Sequence, residues 1–163
     1  MPNKLNIIII AVILIVLGVV GSVYVNVLDS DGNEVKVVGW ADPDDKALVA
    51  RGDAIYAEVC GTCHGANLEG QVDWRQKTED GMLPAPPHDA SGHTWHHPDN
   101  VLFEITKFGG QKNAPKGFIS AMPGFGDVLS DSDIWAALAY IKSRWPEDIR
   151  KRHALMSERM KAN

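Results

Sequence analysis

The amino-acid sequence predicts an all-α protein, in which three helices joined by long loops form one domain behind a single N-terminal transmembrane helix. Three observations lead to this fold class. The N-terminal part contains a long segment without charge. Three later stretches have apolar residues at helical spacing. The two long segments that connect these stretches hold most of the glycine and proline of the region, which indicates loops. The 163 residues suit one modest domain plus an appendage, and the net charge of −5 argues against a nucleic-acid partner.

The first element is an apolar segment, residues 5–28, that has no charged side chain. As a helix it would be about 36 Å long, enough for a hydrocarbon core of about 30 Å. Lys4 precedes the segment, whereas Asp29 and Asp31 follow it. The positive-inside rule therefore predicts a single-pass anchor in the cytoplasmic (inner) membrane, with the N-terminus in the cytoplasm and the rest of the chain on the periplasmic, extracytoplasmic side.

Two alternatives concern this segment. A signal peptide that is later cleaved would have an apolar core as long as Ile7–Val20, although the residues after it form a poor cleavage site. The position at which this helix ends also has two interpretations. Val23–Leu28 and Glu34–Val38 flank turn residues and would pair as a small hairpin, or the helix continues to Leu28 and a short linker follows.

The three core helices are predicted at residues 44–59, 98–108 and 130–145, where apolar side chains recur at helical spacing. Ser130 and Asp133 resemble a capping box at the start of the third helix. The connections between the helices are long for a compact domain, and helices joined in this way bury little apolar surface by themselves. A large apolar cofactor at the centre would account for such loops.

A tail at residues 147–163 is predicted to form a further helix. It is expected to lie on the surface of the domain, and the alternative is a helix that docks a partner. The residues that share one face of it are Ile149, His153, Met156 and Met160.

The sequence CGTCH contains the only two cysteines of the chain, Cys60 and Cys63, followed directly by His64. A thioredoxin-like redox dithiol normally lies next to a βαβ unit, and the predicted helices and loops around these cysteines do not form one. A zinc site needs four ligands, and His93 and His97 lie beyond the usual spacing. A c-type haem uses all three residues of the motif, because the cysteines reach its two vinyl groups and the histidine falls under the ring, where its imidazole meets the iron.

With this motif the chain resembles the small monohaem cytochromes c, in their membrane-anchored bacterial form of class I type with Met/His ligation. The resemblance covers roughly residues 44–146. ARGDAIYAEVCGTCHGANLEG looks like the family's first helix, in which Gly52 lets that helix cross closely beside Tyr140 of the last one. AMPGFGDVLSDSDIWAALAYIKSRWP looks like the distal-ligand loop and the C-terminal helix. The resemblance implies the cytochrome c fold, with three core helices and long loops around one covalent haem c.

The resemblance also implies roles for particular residues. Cys60 and Cys63 would form the thioethers, His64 would be the proximal ligand and Met122 the distal ligand of the iron. A soft thioether suits haem iron, and Met/His ligation raises the reduction potential. Met82 is the other candidate in a loop.

A histidine bound to a metal usually donates its other ring nitrogen to an acceptor. In the family a loop that contains proline supplies a backbone carbonyl, and LPAPPHD matches such a loop. Pro86 is the predicted acceptor, with Pro84 and Pro87 as alternatives.

The chain departs from the family at residues 71–97, a loop that is longer than the minimal domain requires. We expect this loop to pack over the haem edge, with its polar side chains bonding the propionates. The alternatives are a second metal, such as copper, or a haem with two histidine ligands. The side chains concerned are Trp74, Arg75, His88, His93, Trp95, His96 and His97.

These predictions divide the chain into a transmembrane anchor (1–28), a linker or small hairpin (29–43), a cytochrome c domain (44–146) and a helical tail (147–163). The predicted function is one-electron transfer by a carrier that is not itself an enzyme. The expected partners are the lipid bilayer and membrane redox proteins such as a terminal oxidase, a quinol-oxidising complex or a reaction centre. The alternatives are a fixed electron-transfer subunit of a larger respiratory or photosynthetic complex, and a haem sensor or enzyme with a displaceable methionine.

Overall fold

The structure, a computed structural model, describes residues 26–28, 34–36, 41–112 and 114–161. The chain divides into two compact units, Met1–Val37 and Val38–Asn163. The predicted transmembrane anchor lies outside the described residues, except for its last three positions. In the ranges that the structure does describe, no helix is both long and apolar enough to cross a bilayer.

The first unit contains an antiparallel pair of short strands, β1 (Asn26–Leu28) and β2 (Glu34–Lys36), with Val27 opposite Val35. The pair is a small hairpin, one of the two arrangements that the turn residues between the strands allow. A helix that continues to Leu28 does not agree with it, because residues 26–28 are extended. The anchor itself lies before these residues and stays a prediction.

The second unit consists of helices and loops throughout its described residues, as the all-α prediction requires. Its helices are α1 (Lys46–Ile55), α2 (Gly61–His64), α3 (Asp99–Phe108), α4 (Asp131–Ser143) and α5 (Glu147–Lys161), with a short 3-10 helix at Thr94–His96. The local sequence explains where several of these helices begin or end. The Asp45 side chain accepts the backbone N–H groups of Ala47 and Leu48, Ser130 and Asp133 form a capping box, and Gly109 ends α3 with φ of 88°.

A turn of π-helix at Tyr56–Cys60 joins α1 to α2, so the first helical segment continues to His64 instead of ending near Val59. Turns of this kind are rare and occur frequently at functional sites. The turn contains Tyr56, which is buried and whose hydroxyl donates to the carbonyl oxygen of Gly65 at 3.0 Å. The π-turn and this hydrogen bond therefore fix the end of the helix on which the CGTCH motif lies.

Helices α1 and α4 cross in direct backbone contact at Gly52. A Cβ atom on this residue would lie 1.9 Å from the carbonyl oxygen of Ala136 and 2.9 Å from Cβ of Tyr140. An ion pair of 2.7 Å between Arg51 and Asp133 lies beside the crossing. The predicted close approach of Gly52 to Tyr140 is therefore present. The buried apolar core around the crossing contains Leu48, Tyr56, Leu68, Leu102, Ile134, Leu138, Ile141, Trp145 and Ile149.

Helix α5 packs on the domain along one face. Ile149, His153 and Ser157 are buried, whereas Met160 is 47% exposed. The N–H of Asp99, at the start of α3, donates to the Ser157 hydroxyl at 3.1 Å. The tail is thus a helix that lies on the domain. Ile149 and His153 are buried as predicted, but at the C-terminal end the buried residue is Ser157 and not Met160, because residues four apart share a helix face.

Candidate haem site

Cys60, Cys63 and His64 lie at the end of the first helical segment, three and four residues apart. Residues at this spacing are neighbours on the surface of a helix, so the two thiols and the imidazole point to one side. Both cysteines are free; Cys60 is half-buried and Cys63 is exposed. Burial, together with the nearby Cys63, raises the pKa of the Cys60 thiol to about 11. A redox dithiol needs a lowered thiol pKa, so this environment does not favour one.

The His64 side chain is buried and oriented by the proline loop. Its Nδ1–H donates to the carbonyl oxygen of Pro86 at 2.8 Å. Because a carbonyl oxygen only accepts, this contact places the proton on Nδ1 and leaves a lone pair on Nε2. Burial lowers the pKa of the ring, an effect that the hydrogen bond to Pro86 partly opposes. The result is a neutral imidazole with Nε2 available to a metal, in the arrangement common to metal-ligating histidines.

Close backbone contacts hold the proline loop against the segment that follows His64. The His64 carbonyl oxygen accepts the N–H of Gly70 at 2.7 Å, and a Cβ atom on Gly70 would lie 2.4 Å from the nitrogen of Pro87. Gly70 also has φ of 71°, which a residue without a side chain adopts at little cost. The backbone therefore brings the Pro86 carbonyl to the imidazole, and Pro84 and Pro87 do not take this role.

Met122, the predicted distal ligand, is half-buried in a loop that is held by the end of α3. Its carbonyl oxygen accepts the N–H of Gly110 at 3.1 Å, and its own N–H donates to the Ser120 hydroxyl at 3.2 Å. Met82 is also half-buried, and its carbonyl oxygen accepts the N–H of Thr78 at 2.8 Å. These contacts define the backbone around each methionine, and ligation of iron by Met122 stays a prediction.

The loop histidines contact aromatic rings. His93 stacks on Trp74 at 5.5 Å between ring centroids, and His96 stacks on Trp95 at 3.8 Å. The Arg75 guanidinium lies 4.0 Å from the centre of the Trp74 ring. Among the residues for which the structure gives positions, no group of three or more His, Cys, Asp or Glu side chains is arranged to bind a metal ion. The second-metal interpretation therefore finds no support in this part of the chain.

His88 differs from the other loop histidines, because its ring stacks on His64 with 3.9 Å between centroids and 21° between planes. Burial lowers the pKa of His88 well below its ordinary value, and the neighbouring His64 and His93 add to this. Sequence reasoning placed His88 among the propionate-binding candidates and missed this contact. The available signal was its position two residues after Pro86.

The donor set fits a c-type haem. It combines two free thiols one helical turn apart, a neutral imidazole with an available Nε2, and thioethers in two loops.

Comparison with known protein families agrees with a haem site of this kind. The family model described as cytochrome C oxidase, cbb3-type, subunit III matches residues 47–141, which is more than half of the 163 residues and includes Cys60, Cys63, His64 and Met122. No curated protein matches the chain. The chain therefore belongs to this family of cytochrome c domains, whose chemistry is haem-based electron transfer.

Proposed function

We propose that the chain is a membrane-anchored electron carrier with one covalently attached haem c. In this proposal Cys60 and Cys63 form the thioethers, and His64 and Met122 are the axial ligands. Residues 1–28 include the anchor in the cytoplasmic membrane, and the haem domain lies on the periplasmic, extracytoplasmic side. The main support for the haem is the geometry of His64, whose Nδ1–H donates to Pro86 at 2.8 Å and leaves Nε2 to bind iron.

When bound, a c-type haem supplies one-electron chemistry through its iron. The residues of the chain hold and tune it. His64 donates the Nε2 lone pair, the Pro86 carbonyl orients the ring, and burial keeps water away from the imidazole. With Met122 as the second axial ligand, no coordination position is open to oxygen or peroxide, which favours an electron carrier over an enzyme. The anchor raises the local concentration of the domain near redox partners in the same membrane.

A second candidate is a fixed electron-transfer subunit of a larger complex. The description of the matching family, subunit III of a cbb3-type oxidase, favours this candidate and makes a terminal oxidase the first partner to test. The surfaces available for such an interface include the exposed side of α5 and the loop that contains His93 and His96. A quinol-oxidising complex and a photosynthetic reaction centre are further partners of the same chemical class.

The haem proposal is tested by covalent attachment. The full chain is expressed with a c-type maturation system, denatured and extracted with acidic organic solvent. We expect haem colour to stay with the polypeptide, with one haem per chain by the pyridine haemochrome assay. The Cys60→Ser/Cys63→Ser double variant should lose this colour. A wild-type chain that keeps no porphyrin after extraction contradicts the proposal.

The membrane location and the choice between carrier and subunit require different measurements. Fractionation followed by protease treatment of spheroplasts should cut the haem domain while it is still bound to the membrane. Purification from mild detergent then separates the two candidates, because a subunit elutes with oxidase subunits at fixed stoichiometry and a carrier elutes alone. A haem domain that protease reaches only after lysis, or one found in the soluble fraction, contradicts the proposed location or anchor.

A further inference from the structure

The imidazole of His88 lies parallel to the imidazole of His64, with ring centroids 3.9 Å apart and planes inclined by 21°. This distance is van der Waals contact between two flat rings. The contact covers one face of the His64 ring, while the Pro86 carbonyl fixes one edge of it. A single stretch of backbone, residues 86–88, therefore supplies both constraints on the predicted axial ligand.

His88 is itself held from several directions. Its Nδ1 and the Thr94 hydroxyl share a hydrogen bond of 2.7 Å, and its backbone N–H donates to the carbonyl oxygen of Leu68 at 2.8 Å. Trp145 Nε1–H donates to the His88 carbonyl oxygen at 2.7 Å, and the Tyr56 ring approaches edge-on with 6.2 Å between centroids. These contacts hold the His88 ring in one orientation against His64, although the residue lies in a loop.

We propose that His88 is a positioning residue, which fixes the plane of the His64 imidazole about its bond to the haem iron. The proposal rests on His64 as axial ligand, as proposed above. One hydrogen bond to Pro86 sets the direction of Nδ1–H but still permits the ring to rock about that contact. The stacked His88 ring removes this freedom on one side. Partners beyond the ligand shell are known to tune both ligand orientation and the metal.

A fixed orientation of the His64 ring should affect both the g values and the reduction potential of the haem. In low-spin ferric haem, the g values depend on the direction of the axial imidazole plane, because that plane sets the order and spacing of the iron d orbitals. A fixed plane gives one narrow set of g values, whereas a ring that rocks gives shifted and broadened ones. The reduction potential follows the same ligand field. Neither quantity changes merely because a protein is less stable.

The test compares His88 variants of the holoprotein by electron paramagnetic resonance and redox titration. His88→Ala removes the stacked ring and should shift and broaden the g values and change the midpoint potential. His88→Phe restores a flat ring and should return the g values to those of the wild type. His88→Gln keeps hydrogen-bonding capacity towards Thr94 without a ring and should resemble the alanine variant. Leu48→Ala, which truncates a buried side chain of α1, is the control for lost packing.

Three outcomes overturn the proposal: His88→Ala keeps the wild-type g values and potential, His88→Phe behaves like His88→Ala, or Leu48→Ala produces the same changes. If His88→Ala yields no holoprotein, Thr94→Val decides, because it removes the hydrogen bond that orients the His88 ring and should broaden the g values. A wild-type protein without covalent low-spin haem overturns the proposed function itself. A normal wild-type spectrum with unresponsive variants overturns only the role of His88.

Discussion

Lys142 and Asp99 form a buried ion pair, in which the ammonium lies 2.8 Å and 2.9 Å from the two carboxylate oxygens. Their side chains are only 9% and 4% exposed. Asp99 begins α3 and Lys142 lies in the last turn of α4, while Nε2 of His153 on α5 lies 3.8 Å from the same carboxylate. The carboxylate of Asp99 therefore links α3 to α4 through Lys142 and lies close to α5.

Loss of the Asp99 carboxylate should destabilise the folded domain. Asp99→Ala leaves the Lys142 ammonium buried without its carboxylate, so we expect the free energy of unfolding to fall by about 3–5 kcal/mol. Urea unfolding of the holoprotein measures this. Glu147→Ala is the control, since the Glu147–Lys151 pair is more than 70% exposed on both sides and should change stability by about 0–1 kcal/mol. Equal effects of the two substitutions would contradict a structural role for the buried pair.

Protonation of His153 should weaken the packing of α5. Its Nε2–H donates to the His97 carbonyl oxygen at 2.9 Å, and its Nδ1 is buried without a hydrogen-bond partner among the described residues. Burial lowers the pKa of His153 below 6.5 and the Lys142 ammonium lowers it further, while Asp99 and the His97 carbonyl oppose this. The unfolded chain then binds the proton more readily, so the stability contributed by neutral His153 is present above pH 6.5 and is lost as pH falls through the folded pKa.

The measurement is the free energy of unfolding of wild type and of His153→Phe between about pH 7.5 and pH 5.5. The wild type should lose more stability than the variant, by up to about 1.4 kcal/mol per pH unit for one proton. Other histidines with lowered pKa values titrate in both proteins, so the difference between the two slopes isolates His153. Parallel slopes would show that His153 does not account for the acid sensitivity. Besides the proposed iron ligand His64, the histidines with lowered pKa values that both proteins retain are His88, His93 and His97.

The crossing of α1 and α4 should not tolerate a side chain at Gly52. Alanine has the higher helix propensity by about 1 kcal/mol, so propensity alone predicts that Gly52→Ala is stabilising. The added Cβ would lie 1.9 Å from the backbone oxygen of Ala136, which cannot move without α4, so we expect destabilisation of about 3 kcal/mol or more. Thermal unfolding checks the sign, with Ala54→Ser on the exposed side of α1 as the control. A stabilised Gly52→Ala variant would contradict the crossing.

The helices could be predicted because their signals are local. Pro98, Gly109 and the Ser130–Asp133 pair act on their own helix ends, and helical spacing identifies the segments between them. Chemistry alone indicated that a ligating imidazole needs an acceptor for its second nitrogen, and the family resemblance pointed to the proline loop and to Pro86 in it.

Other features depend on contacts that no local pattern contains. The last apolar residue at helical spacing is Val59, but a π-turn at Tyr56–Cys60 and a short helix at Gly61–His64 continue the segment, so its end was predicted too early. The stacking of His88 on His64 requires the backbone reversal at Leu68 and Gly70, where φ is 67° and 71°. The buried face of α5 is decided by its partners on α3, and for that reason the polar Ser157 is buried in place of Met160.

The last prediction concerns the distal ligand. Met122→Ala removes the thioether that we propose for the iron, so the reduction potential should fall by on the order of 0.1 V, because axial ligands set haem potentials over about 0.8 V. The reduced variant should also bind carbon monoxide at neutral pH, whereas the reduced wild type should show no spectral change. Met82→Ala is the matched control, since Met82 is likewise half-buried in a loop, and it should leave the potential and the carbon monoxide response unchanged. Should Met82→Ala lower the potential while Met122→Ala does not, the ligand is Met82. Should neither change it, a histidine of the 71–97 loop is the ligand, and the site is a haem with two histidine ligands.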